Sequence, residues 1–292
     1  MIGRKGQQVH WVTGKGGVGK SAVAAALAAK FASQGLKTLL VELGSTSFYG
    51  NFLNLDAIGF HPKTWQGLDT PVDVALWSGE ECLREYALYL IKVETLYRLF
   101  FENPVSQSLI QIAPGLEELA ITGKATSSPR KHGPPLEYDR IVIDAFATGH
   151  FLSLLRAPAA MAKTIRFGPM YDQSVSIDRY LRDHEFTHFH LVTIPEDLPT
   201  TETLELATEL RTITENAPQV WLNRWIDLQG RPMFETAERE TADVFDSYLL
   251  RVHQRQESSL KRLNEIQTVQ KLPMIWHTEP NTVLRGIMEA IK

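Results

Sequence analysis

The 292-residue sequence holds a single cysteine, Cys82. One thiol can form no disulfide within the chain and cannot alone build a thiolate cage, and such scarcity fits a reducing compartment. Charge of one sign is not in excess: 30 Lys and Arg stand against 34 Asp and Glu, a formal net charge of −4. That balance offers no field to gather nucleic acid or an anionic membrane. The basic cluster Arg130-Lys131-His132 sits in P-R-K-H-G-P-P and reads as a solvated loop. Long apolar runs are missing as well. The nearest, Leu83 to Phe101, is broken by Arg84, Glu85, Lys92, Glu94 and Arg98, so it does not read as a membrane span. The opening M-I-G-R-K-G-Q-Q-V is too polar for a signal peptide. Neither internal repeats nor low-complexity tracts occur. A cytoplasmic location is the expectation.

Alternation of short apolar runs with helical stretches is what the sequence does contain. Val9 to Thr13 (V-H-W-V-T) reads as a strand that ends on glycines. The alanine-rich stretch after them reads as a helix stopping at Gly35. Thr38 to Val41, Arg140 to Asp144, Phe189 to Ile194 and Gln219 to Asn223 read as buried strands, with a last one at Pro273 to Trp276. Thr200 to Asn216 reads as a helix. The order predicts an α/β fold with a doubly wound, mostly parallel sheet, forming a single domain over 1–292. Residues from about 50 to 135 and from about 232 to 270 show no strand signal and read as helical insertions packing together on one end of the sheet. The C-terminal V-L-R-G-I-M-E-A-I-K is amphipathic and reads as packing on the sheet rather than anchoring to a membrane. His184 to His190 (H-E-F-T-H-F-H) lacks an acidic or thiol partner at ligand spacing, so no metal is expected there.

Gly14-Lys15-Gly16-Gly17-Val18-Gly19-Lys20-Ser21 fits the phosphate-loop pattern G-x-x-x-x-G-K-[ST]. Its glycines let backbone N–H groups converge on phosphate oxygens, and the following helix presents its positive end there. Lys20 would reach the β- and γ-phosphates of ATP, the Ser21 hydroxyl would ligate Mg²⁺, and Ala22 continues the binding stretch. The motif lies between a predicted strand and a predicted helix, which is the context it requires.

A second lysine, Lys15, narrows the resemblance. G-K-G-G-V-G-K-S resembles the deviant phosphate loop of the ATPase branch that includes septum-site, plasmid-partitioning, nitrogenase-iron-protein and arsenite-pump proteins. By that resemblance Lys15 serves the nucleotide of a second subunit, which implies a dimer with itself or with a paralogue. The block Tyr138 to Pro158, Y-D-R-I-V-I-D-A-F-A-T-G-H-F-L-S-L-L-R-A-P, resembles the switch II signature of the arsenite-pump and tail-anchored-protein-targeting ATPase family. The resemblance places Asp144 in the Mg²⁺ shell and Gly149, flanked by Thr148, beside the γ-phosphate. His150 reads as structural, since positioning rather than proton transfer dominates phosphoryl transfer. Ile112 to Leu119 and Thr193 to Thr203 resemble further family elements. Asn223, in W-L-N-R-W, matches the family asparagine that reads adenine. Lys15, Lys20 and Asp144 are the implied catalytic positions.

Three departures qualify these implications. The second strand of the family ends D-P-A-H, with an aspartate that orients the attacking water, whereas here L-L-V-E-L-G-S-T-S places Gly44 at that position. Glu42 is the nearest carboxylate. A weakly or non-hydrolysing ATP-binding subunit paired with a paralogue therefore stands as the alternative to an active ATPase. Cys82 alone supplies neither the zinc-binding cysteines nor the arsenite triad of the family, so neither site is expected. The six methionines include none between residues 50 and 135, although Leu83 to Phe101 could still line a groove for a hydrophobic protein client.

Overall fold

A computed structural model describes residues 6–91, 115–228 and 244–292. In chain order the elements are β1 (Gln8–Thr13), α1 (Lys20–Ser33), β2 (Thr38–Leu43), α2 (Tyr49–Phe52), β3 (Lys63–Leu68), β4 (Thr70–Trp77), α3 (Gly79–Ile91), α4 (Leu116–Ala125), α5 (Ser127–Arg130), β5 (Arg140–Asp144), α6 (Thr148–Thr164), α7 (Pro169–Arg182), β6 (Thr187–Thr193), α8 (Asp197–Thr214), β7 (Gln219–Trp225), α9 (Val244–Asn264), β8 (Val269–Pro273) and α10 (Pro280–Ala290). The strands form one eight-stranded sheet in the order β3-β4-β2-β5-β1-β6-β7-β8, antiparallel only between β3 and β4. Helices cover both faces, so the fold is α/β, as the alternation predicts.

The central strands carry apolar residues in runs because alternate side chains enter two different cores. Val9, Trp11, Leu39, Val41, Ile141 and Ile143 face α4, α6, α7 and α8. Val12, Leu40, Val142 and Trp221 face α1 and α10. Helix α1 buries Ala24, Ala25, Ala26, Ala28 and Ala29, whose small side chains suit close packing on the sheet. Leu284 and Ile287 of α10 are buried in the same core, so the amphipathic C-terminal stretch packs onto the body of the fold.

The region from about 50 to 135 departs from the sequence reading, because it contains β3 and β4. Edge strand β3, K-T-W-Q-G-L, buries only Trp65 and Leu68 and so lacks a clean alternation. In β4, Pro71 and Asp73 read as breakers. The Asp73 carboxylate is satisfied by the hydroxyls of Thr64 (2.7 Å) and Tyr138 (3.0 Å), which makes it tolerable in a strand. The last strand also lies earlier than expected, at Val269–Pro273 rather than Pro273 to Trp276. It is a polar edge strand that buries Leu272 alone, while the apolar Trp276 is 76% exposed beyond it. Among the described residues α3 packs on α4, and α9 packs on α8 and the β7–β8 edge. Lys92 to Phe101 of the apolar stretch, Ile112 to Pro114, and residues 232–243 of the second insertion lie outside the described residues.

His188 and His190 do share one strand face, and His10 of β1 joins them. His10 Nδ1 lies 2.9 Å from His190 Nε2, and its ring stacks on His188 at 4.7 Å. Burial holds all three imidazoles below their usual pKa, His190 at about 3; neighbouring histidine rings reinforce the shift, and Arg140 adds to it at His10 and His188.

Candidate nucleotide site

The parallel strands β1, β2, β5, β6 and β7 all end on one edge of the sheet, the edge where ligands bind in open α/β folds. Residues 14–19 leave β1 there and lead into α1. The loop passes so close to β6 that a Cβ at Gly14 would sit 2.1 Å from the Val192 carbonyl oxygen, which only glycine permits. Gly16 and Gly17 face open space, as a cradle for an anion requires. Val18 is buried and fixes the far side of the loop. There Asn223 Nδ2 donates to the Val18 carbonyl at 2.9 Å, and Arg224 Nη2 donates to the Gly17 carbonyl at 3.1 Å. Gly19, Lys20, Ser21 and Ala22 form the entry and first turn of α1.

Lys20 is half-buried, and its Nζ donates to the Lys15 carbonyl at 3.2 Å, curling back over the loop. Burial lowers its pKa, and the Asp144 carboxylate opposes that shift. Asp144 ends β5, directly between Val12 of β1 and Glu42 of β2. Its carboxylate is pushed up to about 6 by burial; hydrogen bonds from the Ser21 hydroxyl and Tyr49, and the charge of Lys20, act in the opposite sense. Thr13 Oγ1 donates to the Phe146 carbonyl at 2.7 Å, tying the phosphate loop to the turn after Asp144. Helix α6 opens at Thr148 and Gly149 just beyond that turn, and His150 stacks flat on Phe146 at 3.8 Å. Lys15 reaches away from Lys20 to form an ion pair with Glu202 of α8.

A glycine loop with a lysine at its end, joined by a strand-end aspartate, is shared by many nucleotide-binding proteins, so comparison decides the family. The sequence profile of the family described as anion-transporting ATPases matches residues 7–169, more than half of the chain. This chain belongs to the anion-transporting ATPase family. The ATPase BagA of Mycobacterium tuberculosis is 31% identical to it over 242 residues, 80% of this chain and 71% of that protein. The ATPase GET3C of Arabidopsis thaliana is 28% identical over 268 residues, covering 75% of this chain and 66% of the relative. The fold and the nucleotide-binding character of the anion-transporting ATPases thus extend to this chain.

Sequence reasoning missed the group that completes the aspartate's surroundings. Tyr49, at the start of α2, is fully buried with its hydroxyl 3.1 Å from Asp144 Oδ2 and 2.9 Å from the Ser21 carbonyl oxygen. A tyrosine in S-T-S-F-Y-G carries no local signal of that contact. Glu42 is likewise engaged locally: its carboxylate accepts from Ser47 Oγ at 2.6 Å, from the Phe48 N–H at 2.7 Å and from the Tyr49 N–H at 3.4 Å. It holds the 44–48 loop and does not stand free toward the phosphate cradle. Gly44 adopts φ +156°, a backbone that an aspartate rarely takes, and its N–H donates to the Trp77 carbonyl at 3.0 Å. No helix among the described residues is long and apolar enough to cross a membrane. None of their His, Cys, Asp and Glu side chains form a group of three that could hold a metal. Cys82 is buried in α3, where desolvation pushes its thiol pKa up, away from the thiolate that binds soft ions.

Proposed function

We propose that this anion-transporting ATPase family member is a Mg²⁺-dependent ATPase that works as a dimer and couples its nucleotide state to a helical subdomain. The convergence of Lys20, Ser21 and Asp144 at the mouth of the 14–19 loop carries this reading. One hydroxyl and one carboxylate are hard oxygen donors, which suit Mg²⁺ with the remaining positions filled by water and phosphate. The amides of Gly14 to Gly19 and the start of α1 would hold the phosphates and Lys20 the terminal ones, while Asn223 would have to release the Val18 carbonyl to read the base with its amide. Bound Mg²⁺ supplies charge neutralisation at the phosphates, and the chain's own residues contribute position rather than proton transfer.

Lys15 acts in trans in this reading, across a dimer with a second copy or a paralogue. Its pairing with Glu202 within the chain must then exchange for a phosphate of the partner's nucleotide. The subdomain in this reading draws on the helical parts of the two insertions, α3 to α5 and α9, since β3 and β4 belong to the central sheet, and the client class proposed for it is a hydrophobic protein segment. A single buried cysteine is consistent with the cytoplasm.

Phosphate release from ATP by the purified protein with Mg²⁺, with Lys20→Ala as the blank, tests the reading. Turnover well above the blank is the expected result. A second reading rests on Gly44 and Glu42: no free carboxylate stands at the end of β2, so the chain would be a nucleotide-locked subunit awaiting a paralogue. Turnover at the blank level with ATP still bound selects that second reading. Failure to bind ATP at all sinks both.

A further inference from the structure

The geometry points to Tyr49 as a positioning residue that ties the 44–52 segment to the magnesium shell through Asp144. The inference rests on the reading of Ser21 and Asp144 as the metal-holding pair.

Tyr49 is in contact with both members of that pair. Its one hydroxyl proton is shared between Asp144 Oδ2 at 3.1 Å and the Ser21 carbonyl at 2.9 Å. Through that one hydroxyl Tyr49 links Ser21 of α1 to Asp144 of β5 from its own place in α2. The Tyr49 backbone N–H meets Glu42, whose residue pairs in register with Asp144 across β2 and β5. One residue therefore supports two buried carboxylates on neighbouring strands, groups that would otherwise repel each other in a low-dielectric setting.

Packing alone does not account for a tyrosine here. The ring is fully buried, with the Phe48 ring edge-on at 5.7 Å, and phenylalanine would fill the same space. A hydroxyl is costly to bury unless it is bonded, and among the described residues this one is bonded only to atoms of the metal-holding pair. Its amide neighbours extend the link outward: the Leu53 N–H donates to the Tyr49 carbonyl at 2.9 Å and the Phe52 N–H to the Phe48 carbonyl at 3.1 Å. Any ligand that draws on Asp144 thereby pulls on α2.

The test titrates Mg²⁺ into protein saturated with a fluorescent ATP analogue, comparing the parent chain with Tyr49→Phe. The expected result is an Mg²⁺ midpoint about tenfold higher in Tyr49→Phe, with analogue affinity in EDTA changed less than about twofold. Equal midpoints in the two proteins overturn the role of Tyr49 and leave the metal-holding pair intact. A parent that shows no response to Mg²⁺ overturns the metal reading itself, and the Tyr49 role with it. Hydrogen exchange on the unsubstituted protein gives an answer that does not depend on how the variant folds. Amides of Phe52 and Leu53 gain protection with ATP and Mg²⁺ but not with ATP and EDTA; protection that ignores Mg²⁺ contradicts the link.

Discussion

Two loops flank Asp144: residues 14–19, which leave β1, and residues 44–48, which leave β2. Both follow parallel strands that pair with β5, and both border the same carboxylate. The first is built by residue types, since Gly14 must admit the Val192 carbonyl and its neighbours must present bare amides. The second is built by partners, with Glu42 gathering Ser47, Phe48 and Tyr49, and Tyr49 reaching Asp144. A loop made of backbone leaves its mark in glycines and can be recognised anywhere. A loop made of side-chain contacts leaves a mark only where its partners are already placed.

Substitutions separate the two kinds of loop. Gly14→Ala, the harshest, drives a methyl group into the Val192 carbonyl; ATP affinity should fall at least about a hundredfold, roughly 3 kcal/mol, measured by calorimetry. Retained affinity would mean that the backbone approach is not essential. Acid stability probes the sheet beneath both loops. His10, His188 and His190 are held neutral below their usual pKa, so below about pH 6.5 the unfolded chain binds protons that the folded chain refuses. Stability should therefore fall as pH drops, by up to about 1.4 kcal/mol per pH unit for each of the buried His10 and His190 and by less for the part-exposed His188, and His190→Gln should flatten that slope in urea melts from pH 7 to 4.

Glu42→Gln should loosen the 44–48 loop by about 1–2 kcal/mol in thermal or urea unfolding while leaving Mg²⁺-free ATP binding nearly unchanged. An equal loss of ATP binding would erase the distinction between the loops. Gly44→Asp should not raise ATP turnover, because the φ +156° backbone disfavours aspartate. A marked rise would show that the segment rearranges freely. Glu202→Ala is the mildest: its partly exposed pair with Lys15 should contribute under about 1 kcal/mol to stability.

The same contrast explains what was legible in the sequence. β1, α1, β2, β5, β6 and β7 follow from apolar runs punctuated by glycine and by helix signals, and all fall within a few residues of expectation. β3 and β4 escaped because Pro71 and Asp73 look like breakers until Thr64 and Tyr138 are seen to satisfy Asp73. β8 lies earlier than the apolar P-M-I-W suggests because an edge strand need not be apolar and this one buries Leu272 alone. At the site, Lys20, Ser21 and Asp144 are readable from motif spacing. Tyr49 and the engagement of Glu42 are not: Tyr49 meets Asp144, 95 positions along the chain, and Glu42 is held by a loop conformation that no spacing of Ser47, Phe48 and Tyr49 announces. His10 was equally silent, a lone histidine in V-H-W-V-T whose partners lie 180 positions along.

The most direct test of the central claim is the ATP dissociation constant of the parent and of Asp144→Asn, each with Mg²⁺ and with EDTA. Mg²⁺ should tighten ATP binding in the parent, and most of this gain should vanish in Asp144→Asn, while the EDTA values remain similar. An Mg²⁺ gain of equal size in both proteins would contradict it.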